Sequence, residues 1–237
     1  NMAGTFTAAQ AYFNDGVLKK PMDVATADID DDDSIDIVVA GEAKTELMWF
    51  RNNGDGVTFS QRTIDAGLTG AKSVFVIDVD DDGLLDVVSA GTKAGSTEIV
   101  KWYKAAHAVG DDDGPNPATD VSWTPYTVED AYNDRDDDEG AVEVNAVKVY
   151  VADLDGDDKL DVLYADNKNG IVGWSAQGAS ATVWGSYLTV DYDASNKVKW
   201  VVAADMTGSN RMDVVAAKND GTIPIYENLG GSPVTWT

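Results

Sequence analysis

The stretch that decides the fold is Asp78-Val79-Asp80-Asp81-Asp82-Gly83-Leu84-Leu85-Asp86, followed at once by the apolar run Val87-Val88. Carboxylates stand at positions 1, 3, 5 and 9 of a short polar turn that leads into a strand-like segment. The string returns as Asp28-Ile29-Asp30-Asp31-Asp32-Asp33-Ser34-Ile35-Asp36 before Ile37-Val38-Val39-Ala40. It returns again as Asp153-Leu154-Asp155-Gly156-Asp157-Asp158-Lys159-Leu160-Asp161 before Val162-Leu163. A worn fourth copy, Asp205-Met206-Thr207-Gly208-Ser209-Asn210-Arg211-Met212-Asp213, precedes Val214-Val215. The first aspartates are 50, 75 and 52 residues apart, so the period is near 50 and one interval carries about 25 extra residues.

Outward from these turns, aromatic residues keep the same time. Trp49, Trp174 and Tyr226 each lie 13 residues after the final Asp of their motif, and Trp102 lies 16 after. Ten residues further come Phe59, Trp184 and Trp236, with Trp123 as the delayed counterpart in the second unit. Between turns such as Asn52-Asn53-Gly54-Asp55-Gly56, the apolar segments are short and rich in Val, Ile, Trp and Tyr, which reads as β-strand. Segments 72–79, 86–90, 98–103 and 123–128 give about four strands to a unit, and no window has a helical period. Four strands in a repeat of about 50 residues are the mark of a propeller blade.

The sequence therefore predicts an all-β chain: a β-propeller of four-stranded blades, with four repeats over residues 1–237, four-bladed or part of a larger propeller. An acidic insertion spans about 105–140, with runs at Asp111 to Asp113 and Asp136 to Glu139. Phe6 occupies the place in the repeat that Trp236 holds at the other end. Either an N-terminal strand closes the ring on the last blade, or the array continues.

Composition narrows the partners. Forty-two acidic residues against 17 Lys plus Arg give a formal net charge of −25, which repels nucleic acid and anionic membrane surfaces. No apolar run is long enough for direct membrane insertion as a helix. There is no Cys, hence no disulfide, thiolate metal site or thiol nucleophile, and His107 is the only histidine. A compact fold with this excess of carboxylates calls for cations among them. Calcium suits best, because it takes six to eight oxygen ligands and alternating side chains of a tight loop supply them. Gly83 at position 6 permits the sharp turn, and the carbonyl of position 7 can turn inward. Position 12 of each string falls in a strand-like run, so these are not EF-hands.

The set resembles the FG-GAP/VCBS-repeat family of calcium-loop propellers, which includes integrin α-subunit heads; residues 73–90 with Ile99 to Tyr103 lie especially close to its pattern. By that resemblance the calcium ligands are Asp28, Asp30, Asp32, Ser34 and Asp36; Asp78, Asp80, Asp82, Leu84 and Asp86; and Asp153, Asp155, Asp157, Lys159 and Asp161. A fourth, degenerate site has Asp205 and Asp213. Ser34, Leu84 and Lys159 enter through their carbonyls. Asp33 and Asp158 replace Gly at position 6, a mild strain that Asp tolerates.

The resulting expectation is an extracellular, calcium-stabilised propeller, non-enzymatic, serving as an adhesion or structural interaction module. Its partner would be a protein or a glycan, with self-association into a larger surface or filamentous assembly as one form. A lectin is the alternative and a polysaccharide lyase a weaker one. The periodic aromatics are expected in the core between blades, whereas Trp123, Tyr126, Tyr132 and Tyr187 are the candidates for a ligand platform. His107 is expected to be an ordinary surface residue.

Overall fold

A computed structural model describes residues 19–43, 46–93, 98–107, 121–130 and 146–237. Phe6, Tyr132 and the acidic runs of the insertion lie outside them. The first blade comprises β1 (Lys19–Ala27), β2 (Asp36–Ala43), β3 (Glu46–Asn52) and β4 (Phe59–Asp65). The second comprises β5 (Leu68–Ile77), β6 (Asp86–Lys93), β7 (Glu98–His107) and β8 (Val121–Asp130). The third comprises β9 (Ala146–Ala152), β10 (Asp161–Asp166), β11 (Ile171–Gln177) and β12 (Trp184–Tyr192). The fourth comprises β13 (Val198–Ala204), β14 (Asp213–Lys218) and β15 (Ile225–Tyr226). Beyond β15 the chain turns back on itself: Glu227 and Thr237 exchange backbone hydrogen bonds of 2.9 and 3.1 Å, and Asn228 bridges Trp236. That return supplies the fourth strand of a four-bladed β-propeller. In every sheet the strands lie antiparallel in sequence order, as short connections between neighbouring strands require.

Strand register repeats from blade to blade. Phe59 pairs with Asn52, Trp123 with Ala105, Trp184 with Gln177 and Trp236 with Asn228, so the outer aromatic positions are equivalent in all four units. Trp49, Trp102 and Trp174 likewise stand opposite Val38, Val88 and Leu163. Tyr226 departs from the expectation. It pairs with Val214, whereas Ile225 pairs with Val215 and takes the tryptophan rung. The fourth hairpin reaches that rung one residue sooner, and in a strand a one-residue shift moves a side chain to the opposite face. The structural counterpart of Tyr226 is Tyr103. Each donates its hydroxyl to an aspartate of the preceding blade, Tyr103 to Asp65 at 2.8 Å and Tyr226 to Asp191 at 2.6 Å. A lysine joins each pair, Lys101 at 2.7 Å and Lys218 at 2.6 Å.

Alternation buries both faces of the inner blades. Val38, Ala40 and Trp49 pack with Val74, Val87 and Tyr103 between the first two blades. Val88, Ala90 and Trp102 meet Val149, Val162 and Tyr164 between the second and third. Leu163, Ala165 and Trp174 meet Val201, Val214 and Ala216 between the third and fourth. Trp49 and Trp102 are wholly buried and Trp174 nearly so, which puts the periodic tryptophans in the core. No such cluster joins the fourth blade to the first among the described residues. The fourth blade's outward face instead exposes Trp200, Ile223 and Ile225 at 50%, 68% and 51%.

The innermost strands converge. Asp23, Ser73, Lys148 and Trp200 lie on equivalent rungs, opposite Ala40, Ala90, Ala165 and Ala217. Lys148 Nζ donates to Asp23 at 2.7 Å and lies 4.2 Å from the centre of the Trp200 ring, while Ser73 Oγ donates to Asp23 at 2.9 Å. One polar cluster thus ties all four blades at the axis.

Trp102 also donates its indole N–H to Asp86 at 2.9 Å. Urea unfolding of Trp102→Ala should show a loss of about 3–5 kcal/mol, from the cavity and the missing donor. Trp102→Phe, which keeps a ring but leaves Asp86 a donor short, should lose about 1–3 kcal/mol. Equal losses in the two variants would contradict this packing.

Candidate metal centres

Each aspartate string forms the connection between the first and second strands of a blade. The first carboxylate wraps the loop around itself. Asp28 accepts the amides of Asp32 and Asp33 at 3.0 and 2.8 Å, and Asp78 accepts those of Asp82 and Gly83 at 3.2 and 2.8 Å. Asp153 accepts from Gly156, Asp157 and Asp158. At position 5, Asp32, Asp82 and Asp157 accept the amides of Ser34, Leu84 and Lys159 at position 7. So tight a wrap needs left-handed backbone at two places. Position 6 supplies one, with φ of 65° at Asp33, 88° at Gly83 and 64° at Asp158; position 4 supplies the other, with 57° at Asp31 and Asp81 and 80° at Gly156. Sequence reading finds the first and misses the second, although Asp and Gly, the residues that tolerate this region best, stand there in the first three copies.

The last carboxylate has a role that sequence reading missed. Asp36, Asp86, Asp161 and Asp213 are wholly buried. Each accepts an amide from position 2 of its own loop and another from the third strand or its extension. Ile29 and Asn52 donate to Asp36 at 3.3 and 2.7 Å, Val79 and Ala105 to Asp86 at 3.1 and 2.8 Å. Leu154 and Gln177 donate to Asp161 at 2.8 and 3.0 Å, Met206 and Asn228 to Asp213 at 2.9 Å each. Trp49 adds its indole N–H to Asp36 at 2.9 Å. This carboxylate clamps loop, second strand and third strand together, with or without an ion.

In each of the first three loops three carboxylates converge. Oxygens of Asp28, Asp30 and Asp32 lie within 4.8 Å of one another, as do those of Asp78, Asp80 and Asp86, and those of Asp153, Asp155 and Asp161. Asp30 is completely buried, yet its Oδ1 has no hydrogen-bond partner, and Oδ1 of Asp80 is in the same condition. A buried carboxylate oxygen without a donor is costly unless a cation meets it. These donor sets are all oxygen and anionic, which fits a hard cation such as calcium.

Electrostatics of the loops agree. Burial pushes Asp36 and Asp86 up to about 6, against the amide and indole donors, with the charges of Asp30 and Asp80 adding to the rise. Burial pushes Asp161 up to about 7, and Asp155 and Asp153 contribute. In the fourth loop the balance reverses. Burial again acts upward on Asp213, but the donors Asn228, Met206 and Thr207 outweigh it and hold the carboxyl below its ordinary value. Thr207 and Ser209 stand where the other loops carry carboxylates, and the described residues show no three-carboxylate group there. Asp205 still wraps its loop, accepting from Gly208, Ser209 and Asn210. Asp205 and Asp213 thus keep the loop's shape without its excess charge.

Two cationic residues in these loops were not anticipated. Arg51 pairs through Nε with Asp30 and through Nη2 with Asp32 at 2.6 Å. Lys104 bridges Asp80 and Asp82. Each lies two residues after a periodic tryptophan, a spacing that could have revealed them. Of the aromatics expected to form a platform, Tyr126 stacks on Trp102 at 5.0 Å, Trp123 meets Trp49 edge-on at 6.3 Å and Tyr187 lies 6.0 Å from Tyr164. These three are part of the packing around the blades. His107 is exposed at the end of β7.

Residues 28–89, which contain the first two loops, match the family model of the FG-GAP-like repeat. With the four-bladed fold, this supports a propeller of the FG-GAP type. No curated protein matches the chain. Among solved structures, the chain is similar to the Chaetomium thermophilum Nup170 N-terminal domain in its complex with Nup53, at 8% identity and a TM-score of 0.48. That likeness covers 90% of this chain and 28% of the other.

The raised carboxyls set a pH dependence. Asp36, Asp86 and Asp161 bind a proton more tightly folded than unfolded, where the ordinary value is 3.8. Their contribution to stability is therefore greatest in acid and is lost as pH rises through 6 to 7. Carboxyls held low, such as Asp65 and Asp191, act only below about pH 4. The urea midpoint of the metal-free protein should consequently fall between pH 5 and pH 8, and calcium added at pH 8 should raise it again. A metal-free midpoint that climbs over this interval would contradict the assignment.

Proposed function

We propose that this chain is an extracellular, calcium-stabilised propeller that acts as an adhesion or structural interaction module, without catalytic activity of its own. The observation that carries the calcium reading is the donorless, buried Oδ1 of Asp30 inside a trio of converging carboxylates, repeated with Asp80 in the second blade. Asp28, Asp30, Asp32 and Asp36 would hold the first ion, with the equivalent sets in the second and third loops. A bound ion neutralises clustered carboxylates and cross-links the strands they join. Sites of about 10⁻⁴–10⁻³ M, the range of extracellular calcium modules, would be filled only outside the cell.

The interaction reading is supported by the outward face of the fourth blade. Its rungs are those that bury Trp49, Trp102 and Trp174 against a following blade, yet Ile225 stands half-exposed there, beside Trp200. An exposed apolar strip on a strongly acidic protein marks a contact surface. A second copy of the chain is the occupant tested first, since its blades carry faces of matching chemistry.

Native mass spectrometry in calcium should show three ions per chain and species larger than the monomer. The Ile223→Asp, Ile225→Asp double variant should keep its ions and lose the larger species. A chain without bound calcium would overturn the metal reading. A calcium-loaded chain that stays monomeric at every concentration would overturn self-association.

A further inference from the structure

We infer that Arg51 and Lys104 are tethered cations that compete with the metal in the first and second loops, so that the third loop, with Ala176 at the equivalent place, takes up calcium first. This rests on the calcium reading above. Strand register establishes the equivalence. Phe50, Tyr103 and Ser175 pair with Ile37, Val87 and Val162, the residues directly after the loop-closing aspartates. Arg51, Lys104 and Ala176 each follow by one residue, so their side chains leave the sheet on the side of the loop. In the fourth blade Tyr226 pairs with Val214, which makes Glu227 the next member. One structural position thus carries Arg, Lys, Ala and Glu in turn.

The first two members reach the residues a metal would need. Arg51 engages Asp30 and Asp32 together, with 14% of its side chain exposed, and Lys104 engages Asp80 and Asp82 with 26% exposed. In both loops position 3 gives one oxygen to the side-chain cation and leaves the other without a donor. A divalent ion entering such a cage meets a like charge already seated on its ligands, and either displaces it or binds beside it against repulsion. The guanidinium grips as a planar fork, whereas the ammonium sits on a flexible stem and swings away more readily. The third loop has no such occupant from the neighbouring strand. Lys159 belongs to the loop itself, has 38% of its side chain exposed and, among the described residues, pairs with Asp157 at the rim. The expected order of filling is therefore third loop, then second, then first.

The same cations give the loops a partial substitute when calcium is scarce. Arg51 and Lys104 each set one positive charge between two carboxylates, so the first two loops carry less unbalanced charge without metal than the third. The propeller then stiffens in steps as calcium rises rather than all at once.

The test is a calorimetric calcium titration of the full chain, the wild type beside Arg51→Gln, Lys104→Gln and Ala176→Lys. The wild type should show one tight site and two weaker ones, with Asp155→Asn removing the tight step. Each Gln variant should tighten one weak site by about tenfold or more, and Ala176→Lys should weaken the tight site by a similar factor. The Ala176→Lys arm leaves the first two loops untouched and so guards against a Gln variant that fails to fold. Three equal sites in the wild type, or affinities unmoved by all three substitutions, would overturn the competition. No calcium uptake by any form would instead overturn the reading on which it rests.

Discussion

The structure depends on one buried carboxylate repeated four times. Asp36, Asp86, Asp161 and Asp213 each open the second strand of a blade and accept amides from the loop before it and from the third strand or its extension beside it. Backbone donors at a strand entrance are otherwise hard to satisfy, and a charged acceptor makes stronger bonds than a neutral one. Removing it would leave at least two buried N–H groups unpaired, a cost of about 1–3 kcal/mol for each. In the first two blades the tryptophan of the third strand donates to the same carboxylate. The polar loop and the apolar seam between blades are therefore coupled through one side chain.

That coupling explains why the loops tolerate so much negative charge. Their first, fifth and ninth positions are held by backbone donors, which fixes the carboxylates close together whether or not a cation is present. The unfavourable buried charge that results appears as raised proton affinity at Asp36, Asp86 and Asp161, set first by burial and then by the neighbouring carboxylates. Proton, tethered cation and metal ion are alternative answers to it. The fourth loop has the same frame without carboxylates at its third and fifth positions, and its Asp213 is held low. Frame and charge are thus separable features of the repeat.

The blades are also locked to one another, through the loops and at the axis. Gln177 reaches back to the carbonyl of Val79, and Asn228 to that of Leu154, each bonding to the aspartate loop of the preceding blade at 3.1 and 2.8 Å. At the axis, Asp23, Ser73, Lys148 and Trp200 occupy one rung of the repeat with four different chemistries. A repeat search keyed on identity passes over them, because their equivalence lies in register alone.

Legible from residue order are the strand-rich repeat, its period, the outer aromatic rung at Phe59, Trp123, Trp184 and Trp236, and the residues that wrap the loops. These follow from local rules: side-chain alternation, turn geometry and the spacing of carboxylates within nine residues. Tertiary structure alone decided which face Tyr226 occupies, because one residue fewer in a hairpin inverts every side chain beyond it. It also decided that Arg51 and Lys104 sit on aspartates some twenty residues away in sequence and that Tyr126 lies against Trp102. Such contacts join separate strands, and their geometry is fixed by register and sheet packing, which linear spacing does not encode.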